Sequence, residues 1–256
     1  MREKDKALID GTEAVIRTLE ELQRQVMDEL LKATLGSWDV YHLKNVLNSI
    51  EGQIRSFRDA AKSEMKAGLD TSWEMGKNLV DVPLANAGIY TGFHISTSVL
   101  DVMREFAFHK IDDVSDAAWV KIRGELTLGV MGGKTPQQVA EAIGKNLKDP
   151  GIFSSIGKRA EVITQTEMGR VFSTAAEKRM EEAGKYVDGL EKQWLHAGHP
   201  KVPRETHLAA HGQHVPVNEP FDIGGVMMMQ PRDADAPIEE VINCGCDHVP
   251  FHKNWQ

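Results

Sequence analysis

The segment EEVINCGCDHVPFHKNWQ carries Cys244 and Cys246, the only two cysteines among 256 residues, and seven of the ten histidines follow residue 195. Thiolates and imidazoles are the usual ligands of tetrahedral zinc, so a cysteine pair among histidines allows a metal site. It equally allows two small buried thiols flanking a strand turn. A disulfide inside the tripeptide is disfavoured, because residues two apart would force the S–S and backbone torsions far from their preferred values. Covalent catalysis has fewer supports. A hydrolase could be built on His207, His211 and Cys244, but there is no HExxH, no GxSxG and no phosphate-binding glycine loop. The HGQH stretch spaces two histidines like paired ligands, yet lies in a turn-rich segment with no helix to align them. The chain is therefore expected not to be an enzyme.

The elements that must position these residues are mostly helical. Val15, Leu19, Leu22, Val26 and Leu30 recur at spacings of three and four, and Leu43, Leu47, Ile50, Ile54 and Phe57 repeat the pattern. Together they predict a helical hairpin arm over residues 1–67, turning at Gly36 with Ser37 or Asp39 as the next N-cap. Its apolar stripe either buries itself within the hairpin or docks on a partner helix; Val15, Leu19, Leu22, Val26, Leu43, Leu47, Ile50 and Ile54 are the residues a partner would meet. A helical middle region, residues 68–152, follows. In VDVPLANAG the proline should end or kink a helix, and ISTSVLDVMREFAFHK and DAAWVKIRGELTLGVMGG read as amphipathic helices. KTPQQVAEAIGKNL predicts a helix over 136–147, with Thr135 as N-cap, Pro136 in the first turn and Gln138 closing a capping box. A long helix over 155–183, stopped by Gly184 as a left-handed cap, opens the C-terminal module of residues 153–256 and sets Glu167 and Arg170 on one face. Beyond it, EKQWLHA, QHVPV and GGVMMM read as short strands. Trp194 reads as a core anchor, and the methionines as core filling. The fold class is α+β: helical N-terminal and middle regions with a small β-containing C-terminal module.

Composition bounds the function. The chain is 41% hydrophobic and 27% charged with a formal net charge of −8, a balance that argues against wrapping DNA as a primary task. MREKDKALIDG has no apolar core of a secretory signal, and no apolar run approaches the roughly 18 residues of a membrane span. The expectation is a soluble protein made in a reducing compartment.

TEMGR on a helix, then KQWLHAG, PRETHLAAHGQHVPVNEPF, QPRDADAP and INCGC occur in the order seen in phage head morphogenesis proteins of the Mu F type, and over about residues 115–250 the chain resembles that family. The matching positions are Thr166, Glu167, Arg170, Lys192, Trp194, Arg204, His207, Gly212, Phe221, Pro231, Asp233, Cys244 and Cys246. Gly245 stands where the family usually has Arg, and His211 where it has an acid. The resemblance implies a minor head protein of a tailed phage or prophage. Its expected partners are the portal protein and the major capsid or scaffolding protein, with several copies per portal. DNA contact would be secondary, with DNA delivery as a further expectation. It would reside in the virion, and in the host cytoplasm during assembly. Some relatives resemble a four-ligand zinc site near the C-terminus; here His207 and Cys244 remain of that pattern, Arg204 and Val241 stand at two of its other positions, and His211, His214, Cys246 or His248 could complete a tetrahedron, His211 and Cys246 being the expected choices. Zinc is the one cofactor to consider. The rival is a metal-dependent virion hydrolase acting during DNA entry, and a third reading is a packaging accessory that binds DNA ends.

Overall fold

The computed structural model describes residues 3–32, 40–89, 92, 94–144, 147–148, 150–196 and 203–255. In chain order these form α1 (Glu3–Lys32), α2 (Val40–Asn86), α3 (Ser98–Met131), α4 (Pro136–Ile143), α5 (Ile152–Ala183), β1 (Glu191–Leu195), α6 (Glu205–Ala209), β2 (His214–Pro216), β3 (Phe221–Ile223), β4 (Val226–Met228), α7 (Ile238–Val241), β5 (Asp247–Phe251) and a 3-10 turn (Lys253–Trp255). The α+β class follows directly: long helices, then a small antiparallel module. The hairpin turn expected at Gly36, with its caps Ser37 and Asp39, lies outside the described residues. No helix among the described residues is long and apolar enough to cross a membrane.

Several local expectations shift. α2 runs unbroken from Val40 to Asn86. Pro83 does not break it; the helix continues three residues and closes at Gly88, whose φ of 74° lets the Ile89 N–H reach the Leu84 carbonyl at 2.9 Å. The two helices read around residues 95–133 are one, α3. α4 ends at Ile143 rather than 147, because Gly144 takes a φ of 101°. Its start is as expected, with Thr135 and Gln138 bonding each other's backbone N–H groups at 3.2 and 2.8 Å. Gly184 ends α5 without adopting the left-handed conformation. Glycine stands there for space, since a Cβ would come within 2.7 Å of Val217 Cγ2.

The chain divides into two compact units, each drawn from separated segments. The helical unit comprises Ile9–Ala67 and Glu105–Thr164. Val15, Leu19, Leu22, Val26 and Leu30 are buried there, as are Ile50, Ile54 and Phe57, with Ile111, Val114, Ile122 and Leu126 of α3 and Phe153 and Ile156 of α5. Six of the eight residues expected to offer a partner-docking face are thus buried within the chain, and Leu43 and Leu47 are half-buried. At the polar rim Lys62 Nζ lies 2.7 Å from Asp112 Oδ1.

The mixed unit comprises Met1–Leu8, Gly68–Arg104 and Gln165–Gln256. From Thr164 to Ala183 α5 is buried on nearly every side, which is why its sequence shows little amphipathic pattern. Val80 and Leu84 of α2 cluster with Ala176, Met180 and Ala183 of α5 and with Leu190. A sheet in the order β2-β1-β5, antiparallel throughout, pairs Gln193 with His214 and Trp194 with His248. β3 and β4 form a hairpin across Gly224 and Gly225, both at positive φ, as a two-residue primed turn demands.

α2 and α5 approach most closely at Gly76, where a Cβ would lie 2.3 Å from the Phe172 carbonyl oxygen and 2.7 Å from Ala175 Cβ. Gly52, also inside α2, has nothing within 4 Å of the same position. Gly76→Ala should therefore destabilise the chain by about 1–3 kcal/mol through overpacking. Gly52→Ala should stabilise it by about 0.5–1 kcal/mol by restricting the unfolded chain. Urea unfolding of the two variants checks both signs.

Candidate functional site

β1 alternates, placing Lys192 and Trp194 inward, and both are fully buried. α6 brings His207 against this face, its ring edge-on to Trp194 at 5.7 Å between centroids. Cys244 and Cys246 lie in the segment that joins α7 to β5, and both sulfurs are turned toward the His207 ring. Cys244 Sγ lies 3.6 Å and Cys246 Sγ 3.4 Å from one atom, His207 Nδ1. All three residues are buried, and their ligand atoms lie within 4.8 Å of one another. On the other side of the ring, His207 Nε2 is 2.8 Å from Glu240 Oε2. Glu240 is steadied in turn by Arg204, whose guanidinium also donates to the Ile242 carbonyl at 2.7 Å.

The remaining candidates separate. His211 does not join the cluster; its exposed ring accepts the His196 backbone N–H at 3.0 Å. His214 stacks on Phe251 at 4.7 Å. His248 faces Glu177 instead. His196, absent from the expected ligands, places Nδ1 3.6 Å from Cys246 Sγ. The signal was present: residues 192, 194 and 196 continue one face of the strand.

The cluster is electrostatically polarised. A hydrogen bond from Cys246 holds the Cys244 thiol well below its ordinary range against the effect of burial, and His207 and Arg232 act in the same direction. Cys246 is pushed up by the adjacent Cys244 sulfur and by burial. Burial opposes the charged form of His207, but the Cys244 sulfur outweighs it and raises the imidazole.

A second buried network holds the module to α5. Lys192, with no exposed surface, donates to Glu177 and to the Met229 carbonyl, the latter at 2.8 Å, and its ammonium lies 5.3 Å from the centre of the Phe221 ring. His248 Nε2 meets the other oxygen of Glu177 at 2.9 Å. Burial lowers the Lys192 pKa, opposed by Glu177. Glu167 and Arg170 pair at 2.7 Å, and Arg170 also donates to the Arg232 carbonyl at 3.2 Å. Arg232, at a φ of 63°, donates to the Cys246 carbonyl at 3.2 Å and Ser173 Oγ at 3.3 Å. Asp233 accepts the N–H groups of Met229 at 2.7 Å and Asp235 at 3.1 Å. Pro231 is buried beside it in sequence, Phe221 is in the core with Trp194, and the Thr166 hydroxyl is buried without a hydrogen-bond partner. Lys4 donates to Asp247 and stands 5.4 Å from the centre of the Phe172 ring. Glu177, Arg232, Lys4 and Asp247 carried no local sequence signal, because each is defined only by a partner far along the chain.

Glu177→Gln keeps the side-chain shape but leaves the Lys192 ammonium buried without its anion. It should cost about 3–5 kcal/mol. Adding Lys192→Met should recover most of that loss, and a double-mutant cycle in denaturant measures the coupling.

A family model described as Phage Mu protein F like protein matches residues 120–249, slightly more than half of the chain. No curated protein and no solved structure matches it. The matched span begins within α3 and ends within β5, so it takes in α5, the buried Lys192 network and the histidine–cysteine cluster. The chain belongs to the family of Phage Mu protein F like proteins.

Proposed function

We propose that this member of a phage head morphogenesis family is a minor head protein, built into the head in low copy beside the portal and present in the virion. The observation that carries this reading is the use made of the family's residues. Lys192, Glu167, Arg170, Asp233 and Trp194 are taken up in holding the module together. Motif residues with a packing role suit a rigid assembly component.

The docking surface is reassigned with the burial. In the helical unit, Phe106, Val120, Leu128 and Met131 of α3 are exposed, and their spacing puts them on one side of the helix. This apolar strip is the face proposed to meet the portal or an adjoining head protein. Passage of the protein with the DNA during delivery is a further part of the same proposal.

A second reading has one observation behind it. Cys244, His207 and Glu240 stand in the hydrogen-bonded order of a nucleophile, its base and an orienting acid. However, Cys244 is 4% and His207 2% exposed. The cavity lined by Glu205, Thr206, Ala209, Ala210, Gln213, Asp222 and Gly224 is bordered by neither. The assembly reading is therefore preferred.

Quantitative mass spectrometry of purified procapsids and mature heads should give a fixed, small ratio of this chain to the portal protein. Absence from both would remove the reading. Leu128→Lys with Met131→Lys, which suit a helix C-terminus electrostatically, should leave the unfolding midpoint unchanged and lower incorporation. Full incorporation of that variant would exclude the α3 strip as the docking face.

A further inference from the structure

We propose that the C-terminal module binds one Zn²⁺ ion as a closed structural site, with Cys244 Sγ, Cys246 Sγ, His207 Nδ1 and His196 Nδ1 as its ligands. Bonds of about 2.3 Å to sulfur and about 2.0–2.1 Å to nitrogen, at a tetrahedral angle, put those ligand atoms about 3.6 Å apart. The separations of 3.6 and 3.4 Å between His207 Nδ1 and the two sulfurs, and of 3.6 Å between Cys246 and His196, are edges of such a tetrahedron.

Hydrogen bonding alone explains the arrangement less well. A single ring nitrogen has one proton or one lone pair, so Nδ1 makes at most one well-directed hydrogen bond to the two sulfurs. A cation between them satisfies all three. The tautomer also fits. Glu240, 2.8 Å from Nε2, accepts a hydrogen bond from the Nε2–H tautomer and leaves the Nδ1 lone pair facing the sulfurs, the carboxylate–histidine pairing that orients metal ligands. The buried indole N–H of Trp194 has no hydrogen-bond partner. His196 is half-buried at the end of β1 and is the one ligand that must draw inward, since it lies outside the tight group of three. Burial of that group makes the role structural, with no open position for a substrate. The site is independent of the head-assembly reading.

The full chain, made without a histidine tag and loaded with stoichiometric zinc, should retain about one ion per chain by elemental analysis and lose thermal stability on chelation. Less than about a tenth of an equivalent would overturn the proposal, the expected ratio for a closed site being near one. Cobalt in place of zinc should give the intense visible bands of a tetrahedral site and thiolate-to-metal charge transfer. A weak octahedral spectrum would also overturn it. His196→Ala, at a half-exposed position, should leave the metal-free unfolding midpoint unchanged and weaken zinc at least about tenfold, and Glu240→Gln about 10–100-fold. Unchanged affinity in His196→Ala would remove His196 as the fourth ligand.

Discussion

The buried ammonium of Lys192 constrains the C-terminal module. A charged lysine without solvent is tolerated only where an anion and further acceptors surround it, and here Glu177 and the Met229 carbonyl supply them. That single requirement fixes the sheet against α5, since β1 carries the lysine and α5 the carboxylate. His248, on the paired strand β5, then meets the free oxygen of Glu177, so the register of Trp194 opposite His248 and the placement of the helix become one condition. The Cys244–Cys246 segment runs directly into β5. The histidine–cysteine cluster therefore inherits its geometry from the lysine pair.

Around this centre, polar groups do work that a larger module would leave to apolar packing. The cluster of Trp194, Phe221, Ile223, Met228 and the two cysteines is small. Arg232 and Asp233 fix the turn after β4, and Arg170 ties that turn to α5. Such networks specify one arrangement because any displaced member leaves a desolvated partner behind. The helical unit follows a different logic, burying aliphatic side chains at spacings of three and four.

How much of this was legible follows from the range of each interaction. The helices of the first 140 residues could be read from Val15, Leu19, Leu22 and their successors, because periodicity is local. The N-cap at Thr135 was equally plain. What that stripe touches was not legible, because the burial of Val15, Leu19, Leu22, Val26, Ile50 and Ile54 is set by segments far along the chain. β1 was visible from its alternation, yet the pairing of Lys192 with Glu177 was not, since nothing near either residue marks the other. In the cluster, His207, Cys244 and Cys246 stand together. His211 was drawn in by its position in HGQH, whereas the turn at Gly212 leaves it exposed and hydrogen-bonded to the backbone of His196.

The Lys4–Asp247 pair joins residues 243 positions apart in the sequence. Burial of either charge alone is unfavourable, so the strand that begins at Asp247 cannot settle until α1 is in place, and the start of α1 cannot settle without β5. During synthesis the helical unit can gather once Thr164 has emerged, while the mixed unit must wait for almost the entire chain. Contacts of such long range slow the search for the native state and prolong the exposure of unpaired strands. A ribosome-bound intermediate of this protein would thus carry a formed bundle and an open, unclosed sheet module, the species most in need of a chaperone.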